Sequence, residues 1–213
     1  MAPGVAIILA AGTARRMGGV SKTELDLHGR TLVAHVVEGA QAAGFDPLVV
    51  APPGLELPSG TPRCLEDPPL GGPAAGFLAG VRYSPAADTY ALLAGDAPFA
   101  PRALPALLAG LRPGTSTSVA YDVARADPQG GKASFLPSVV LGESLRARVV
   151  ALASGGAHGL SLRGLLGELS CIDVTVDDRE AVISDVNTWE DLARLRERDS
   201  TRQESTTNEE DSE

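Results

Sequence analysis

A Rossmann-like α/β domain, with a mostly parallel sheet covered by helices on both faces, is the fold class the sequence predicts. Strand and helix signals alternate from one end of the chain to the other, which is the pattern of a parallel sheet wrapped by its crossover helices. The apolar run Val5–Ala10 reads as a buried first strand. A loop rich in small residues and cations follows it directly, which places a ligand grip at the carboxyl end of that strand.

After this strand, Thr31–Ala43 has the periodicity of an amphipathic helix stopped by Gly44, and Leu48–Ala51 is a short second strand before Pro52-Pro53. Arg63–Leu65 is a weaker extended piece, followed by a proline and glycine cluster at 68–73 and a helix over Ala74–Tyr83. Thr89–Leu93 is a central strand ending at Ala94-Gly95-Asp96. Pro101–Leu111 is a helix with proline in its first turn, where the missing N–H costs nothing. Ser118–Tyr121 and Ser134–Val140 read as strands, Gly142–Ala153 and Leu160–Leu169 as helices, and Cys171–Val176 as a late strand. Between the first two of these, Asp122–Lys132, with Pro128-Gln129-Gly130-Gly131, suits either a substrate loop or a plain surface connection. Asp185–Thr188 ends a strand, and Thr188–Arg196 closes as a helix capped by Thr188, with Asp191 completing a near capping box. Residues 1–197 are expected to form the domain. Residues 198–213 hold no apolar anchor and are expected to be a disordered acidic tail.

The 213 residues suit one α/β domain with a sizeable core. Aromatics are scarce, so packing leans on close helix-to-sheet contacts. The formal charge is −9, but Asp199–Glu213 holds six acids and one arginine and carries −5 of it. A body near −4 offers no electrostatic footprint for nucleic acid. No apolar run is long enough for a membrane span, and the N-terminus has no signal-peptide pattern, so a cytoplasmic protein is expected. Cys64 and Cys171 stand apart without Cys-x-x-Cys spacing, which argues against zinc and against a disulfide. His28, His35 and His158 are equally dispersed and read as structural or surface residues.

The loop Leu9-Ala10-Ala11-Gly12-Thr13-Ala14-Arg15-Arg16-Met17-Gly18-Gly19, with Lys22 close behind, carries the chemistry. Positions without bulk let main-chain N–H groups approach phosphate oxygens, and Arg15, Arg16 and Lys22 neutralise charge the backbone cannot. It is neither the Gly-x4-Gly-Lys-Ser/Thr P-loop nor the Gly-x-Gly-x-x-Gly dinucleotide fingerprint. Read blandly, it is a turn with surface arginines. Asp96, at the end of the central strand, suits either a hard-oxygen ligand for Mg²⁺ in the ligand crevice or the N-cap of the next helix. Asp67 suits either a turn-forming Asp-Pro or a carboxylate accepting the paired donors of guanine. The small residues of Leu70–Gly76, Gly72 among them, would let a ring lie close to backbone. Asp185 or Asn187 suits either a second metal oxygen or a helix cap.

These residues resemble, in order, those of the molybdenum cofactor guanylyltransferases. The resemblance rests on Leu-Ala-Ala-Gly-Thr-Ala-Arg-Arg-Met-Gly-Gly-Val-Ser-Lys, Gly71-Gly72-Pro73-Ala74-Ala75-Gly76, Gly95-Asp96-Ala97-Pro98 and Asp185-Val186-Asn187-Thr188-Trp189-Glu190-Asp191-Leu192, and it spans roughly residues 5 to 196. It implies the sheet of the nucleotide-diphospho-sugar transferases. It also implies transfer of GMP from GTP to molybdopterin with release of pyrophosphate, Mg²⁺ as cofactor, and possible contact with other molybdenum cofactor proteins. By the same resemblance Leu9, Ala10 and Ala11 hold the nucleotide through backbone, Lys22 its phosphates, Asp67 guanine, and Asp96 nucleotide and metal. From the residues themselves, Gly12, Arg15 and Gly72 are further nucleotide-binding candidates, Arg16 joins Lys22 and Asp96 as a catalytic candidate, and Asn187 is the candidate for a second metal oxygen. The chain departs from the family in three places. Ala11 stands where a glycine is frequent, Ser21 where Asp is usual, and Ala51-Pro52-Pro53 where an Asn is expected, which weakens guanine specifically rather than nucleotide binding. Cytidylyl transfer to molybdopterin or to a sugar or polyol phosphate stays open as the alternative, as does a non-catalytic nucleotide-binding relative. A phosphate-binding oxidoreductase is disfavoured by the missing fingerprint.

Overall fold

The apolar opening segment forms β1 (Gly4–Leu9), whose interior residues Ala6, Ile7 and Ile8 are fully buried. The computed structural model describes residues 4–12, 21–66, 71–111, 121–128, 134–152, 160–176 and 185–197. A 3₁₀ turn (Lys22–Glu24) leads into a small hairpin, β2 (Asp26–Leu27) and β3 (Arg30–Thr31). Positive φ at both His28 and Gly29 gives the mirror-image turn that matches strand twist. His35 is structural, as expected: its Nε2 lies 2.8 Å from the Leu27 carbonyl. His158 lies outside the described residues.

Helix α1 (Leu32–Ala42) is capped by Thr31, whose hydroxyl accepts from the Ala34 N–H, and Gly44 with φ 83° ends it. Strand β4 (Phe45–Val50) runs three residues further back than the sequence suggested, across Asp46 and Pro47. Val49 and Ala51 donate N–H bonds toward β5 (Arg63–Cys64), so Pro47, of the same parity, turns its missing N–H to the side where β5 has already ended. Helix α2 (Pro73–Tyr83) has proline at its first position. A Cβ on Gly80 would sit 2.7 Å from Ile7 Cγ2, so the glycine is what lets this helix lie close on β1.

Strand β6 (Thr89–Ala94) follows, and then the expected single helix appears in two pieces, a 3₁₀ segment (Ala100–Ala103) and α3 (Leu104–Leu111). A continuous α-helix would need an N–H on Pro105 to bond the carbonyl four residues back, and proline has none. Of the proposed loop at 122–132, residues 123–128 are instead a strand, β7 (Val123–Pro128), while 129–132 lie outside the described residues. Its Arg125 forks onto Asp173 of the neighbouring strand, a cross-strand pair that ties β7 to the sheet. Of the strand expected over 118–121 only Tyr121 is among the described residues, and it is irregular; 118–120 lie outside them. Strand β8 (Ser138–Leu141) starts four residues late, after a turn in which the Ser138 hydroxyl donates to the Phe135 carbonyl.

Helix α4 (Gly142–Leu152) is followed by α5 (Leu162–Leu166), which is shorter than the expected 160–169 because Gly167 occupies its C-cap. Strand β9 (Cys171–Val176) and a last helix, α6 (residues 189–197), complete the described elements. Residues 185–187 are irregular rather than strand.

The main sheet has the order β5-β4-β1-β6-β8-β7-β9. It is parallel except around β8, which runs antiparallel to β6 and β7. One buried layer lies under α1 and α3 (Val33, Val37, Leu104, Leu107), and another under α2, α4 and α5 (Phe77, Leu78, Leu145, Leu165). A third cluster, which includes Leu27, Leu32, Val186, Leu192 and Leu195, joins the hairpin to α6. Gly142, at the β8–α4 junction, donates to the Asp88 carbonyl at 2.8 Å, and an added Cβ would lie 2.1 Å from the Ala87 carbonyl oxygen. Gly142→Ala is therefore expected to cost about 3 kcal/mol and to lower Tm by roughly 6–12 °C, read by calorimetry.

Candidate active site

A cleft of about 510 Å³ opens at the carboxyl ends of β1, β4 and β6. The strands deliver its floor. Ala10 N–H bonds the Val50 carbonyl and Gly95 N–H bonds the Leu9 carbonyl, so the segments leaving β1 and β6 stay locked together beyond the sheet. Leu9, Ala10, Ala11 and Gly12 form one wall, with Gly12 exposed and an added Cβ there meeting nothing within 4 Å. Gly72, with φ 88°, and Pro73 form the opposite wall at the start of α2.

At the inner end three side chains meet. Lys22 Nζ donates to Asn187 Oδ1 at 2.6 Å and lies 3.8 Å from Asp96 Oδ2. Lys22 comes from the 3₁₀ turn and Asp96 from the end of β6. Asn187 comes from the lead-in to α6, whose position is fixed by the Val186 N–H bonding the Asp96 carbonyl at 3.0 Å. The helix-cap alternatives do not hold for these residues. The helical segment after Asp96 begins at Ala100 with Phe99 as its N-cap. The cap of α6 is Thr188, whose hydroxyl accepts from the Asp191 N–H while Asp191 accepts from the N–H groups of Asn187 and Thr188. The Asn187 amide oxygen is thereby left for Lys22.

Burial pushes the Asp96 carboxyl above its usual value, and the negative charge of Asp185 adds to this, with Lys22 opposing. Among the described residues Lys22 offsets these two effects only in part. Asp96 and Asn187 offer a carboxylate and an amide oxygen, hard donors of the kind Mg²⁺ takes. Among the described residues no group of three or more His, Cys, Asp or Glu is placed to hold a metal, so a divalent ion here would complete its shell with water and phosphate oxygens. The donor set fits Mg²⁺ on those terms.

Of the residues singled out from sequence, Leu9, Ala10, Ala11, Gly12, Lys22, Gly72 and Asp96 all line this cleft, and Asn187 reaches its inner end. Arg15, Arg16 and Asp67 lie outside the described residues. Glu66, only 5% exposed, lines the cleft and is a site residue the sequence motifs do not mark. The period of two from Cys64, which packs under α2, would have pointed to it. Where the expected Asn is missing, Ala51 is buried and the Pro52 carbonyl accepts from Arg63 at 2.7 Å, so that turn is anchored rather than open.

The model of one family, the MobA-like NTP transferase domain, matches residues 6–203. The chain belongs to this family. Among MobA-like relatives, a molybdenum cofactor guanylyltransferase of Cereibacter sphaeroides is 36% identical over 198 residues, covering 88% of this chain and 93% of that protein. Another, from Acidiphilium cryptum, is 42% identical over 124 residues, 53% of this chain and 60% of the relative's length. In fold, the chain resembles the molybdopterin-guanine dinucleotide biosynthesis protein A of Archaeoglobus fulgidus, with TM-score 0.64, 21% identity and coverage of 92% and 98% of the two chains. A MobA-like NTP transferase is a nucleotidyltransferase, and the resemblance read from the sequence is borne out at that level. No helix among the described residues is long and apolar enough to cross a membrane.

Proposed function

We propose that this enzyme transfers GMP from GTP to the terminal phosphate of molybdopterin, with Mg²⁺ as cofactor. The observation that carries the reading is the convergence of Lys22, Asp96 and Asn187 at the inner end of a cleft walled by bare backbone. An oxygen of the acceptor phosphate attacks the α-phosphorus of GTP in line, the bond from the α-phosphorus to the bridging oxygen breaks, and pyrophosphate leaves. Because a phosphate monoester is already anionic at neutral pH, the chain needs to supply alignment and charge neutralisation rather than a strong base. The walls Leu9–Gly12 and Gly72 hold the nucleotide close to backbone. Lys22 leaves Asn187 to meet the phosphates, and Arg15 and Arg16 add charge where the pyrophosphate departs. Mg²⁺, when bound at Asp96 and Asn187, supplies charge neutralisation at the α-phosphate. The buried Glu66 lines the cleft, and a carboxylate there or at Asp67 would accept the N1–H and N2–H₂ of guanine. Residues 1–197 make up the catalytic domain in this reading, and 198–213 a tail outside it.

Pyrophosphate release with GTP and with CTP, each with molybdopterin and Mg²⁺, tests the reading together with the product mass. GTP is expected to turn over at least tenfold faster and to give the guanine dinucleotide. Faster turnover of CTP would move the enzyme to the cytidylyl branch, and tight GTP binding with no turnover would make it a non-catalytic relative.

A further inference from the structure

Beside the nucleotide cleft lies a second, shallower hollow of about 490 Å³, and the two share Pro73 and Leu136 as a common wall. Its inner surface is apolar: Phe135 and Leu136 from the turn before β8, Leu162 from α5 and Pro73 from α2. Its rim carries Ser134, Ser161 and Arg163. The polarity of that rim leans toward donors, with Arg163 offering donors alone. The Ser134 hydroxyl accepts from the Leu136 N–H at 3.1 Å and the Ser161 hydroxyl from the Gly164 N–H at 3.0 Å, so each has its own hydrogen left to donate. A hollow with an apolar floor and a rim of donors suits a flat ring system whose edge is rich in acceptors, carbonyl oxygen, ring nitrogen or anionic sulfur.

Three other arginines among the described residues that a large anionic acceptor could call on, Arg82, Arg146 and Arg148, are placed differently. Arg146 donates to the Pro85 and Ala87 carbonyls, and Arg148 to those of Gly164 and Leu165, so both guanidiniums are committed to holding backbone. Arg82 lies in the last turn of α2, nine residues from Pro73, or about 14 Å along the helix axis at 1.5 Å per residue. Arg163 lines the hollow, and among the described residues its side chain makes no hydrogen bond or ion pair.

We propose that this hollow docks the ring-bearing end of the acceptor, whose phosphate reaches across Pro73 and Leu136 into the cleft, and that Arg163 is the specificity-determining residue that meets the acceptor-rich edge of the ring. The inference rests on the acceptor being a ring-bearing phosphate monoester, as under Proposed function. Arg163→Ala removes a charged donor and is expected to raise KM for molybdopterin about 10- to 100-fold. The KM for GTP and the rate at saturating acceptor should stay within about twofold, with Arg163→Lys intermediate.

Binding scores the proposal apart from turnover. The fluorescence anisotropy of 6-hydroxymethylpterin phosphate, titrated with the GTP-bound full chain and with its Arg163→Ala variant, is expected to give a Kd at least tenfold weaker for the variant. Equal Kd values, no binding to the wild-type chain, or a matching loss of GTP affinity in the variant would overturn the docking site. Wild-type chain that binds the pterin phosphate but fails to convert molybdopterin would instead overturn the function and leave the docking site standing.

Discussion

Asp96→Asn is expected to lower kcat about 1000-fold while leaving the far-UV circular dichroism unchanged, because it removes the one carboxylate that joins the end of β6 to the cleft. The same change should stabilise the metal-free protein. Burial and Asp185 raise the folded-state pKa of Asp96 above its unfolded value. Below the unfolded value both states carry the proton and ionisation costs nothing. As pH rises from there through the raised folded value, the unfolded chain ionises first, and stability is lost until the carboxyl is charged in both states. Above the raised folded value the cost is full, and asparagine abolishes it. Calorimetry without metal should therefore show a higher Tm for the variant at pH 7, and the gap should close as pH falls below the ordinary carboxylate range. Wild-type turnover in Asp96→Asn, measured at saturating Mg²⁺, would remove the residue from the mechanism.

Lys22→Ala is expected to reduce kcat/KM for GTP by two to three orders of magnitude, the scale on which a single well-placed charge at a transferring phosphoryl group acts. Lys22 is 18% exposed and held between Asn187 and Asp96, so its ammonium occupies a slot built for a compact charge. A guanidinium is planar and larger, and Lys22→Arg should recover little. Removing Lys22 also leaves the Asp96 and Asp185 charges facing each other with less compensation. Mg²⁺ should consequently raise the Tm of Lys22→Ala by more than it raises that of the wild type. Steady-state kinetics with GTP varied, alongside thermal melts with and without Mg²⁺, measure both effects, and an unchanged KM and kcat would exclude the lysine from phosphate binding.

Much of this architecture is legible in the sequence because its signals are local. The Val5–Ala10 run, the Thr31 cap, the Gly44 stop and the Thr188–Asp191 capping box each name a boundary to within a residue or two. What was hidden depends on partners far along the chain. Asp46-Pro47 looks like a loop until β5 is known to stop short of it. Val123–Pro128 looks like a loop until Asp173, 48 residues on, arrives to pair with Arg125. The site follows the same rule. Lys22 and Asp96 stand out by type and by their place after strands. The role of Asn187, 165 residues from Lys22, becomes visible only when the third apolar cluster folds α6 back onto the hairpin. Glu66 is a different case: its place two residues after Cys64 is a local signal, but the adjacent Asp67-Pro68 is the stronger turn signature and masks it in the sequence.

A crystal of the full chain grown with a non-hydrolysable GTP analogue and Mn²⁺, with anomalous data collected at the manganese edge, tests the site most directly. The expected result is a peak within bonding distance of Asp96 and Asn187, with Lys22 turned from Asn187 onto the triphosphate and the phosphates against Leu9–Gly12. A peak elsewhere, or a triphosphate bound away from that turn with Lys22 still on Asn187, would contradict it.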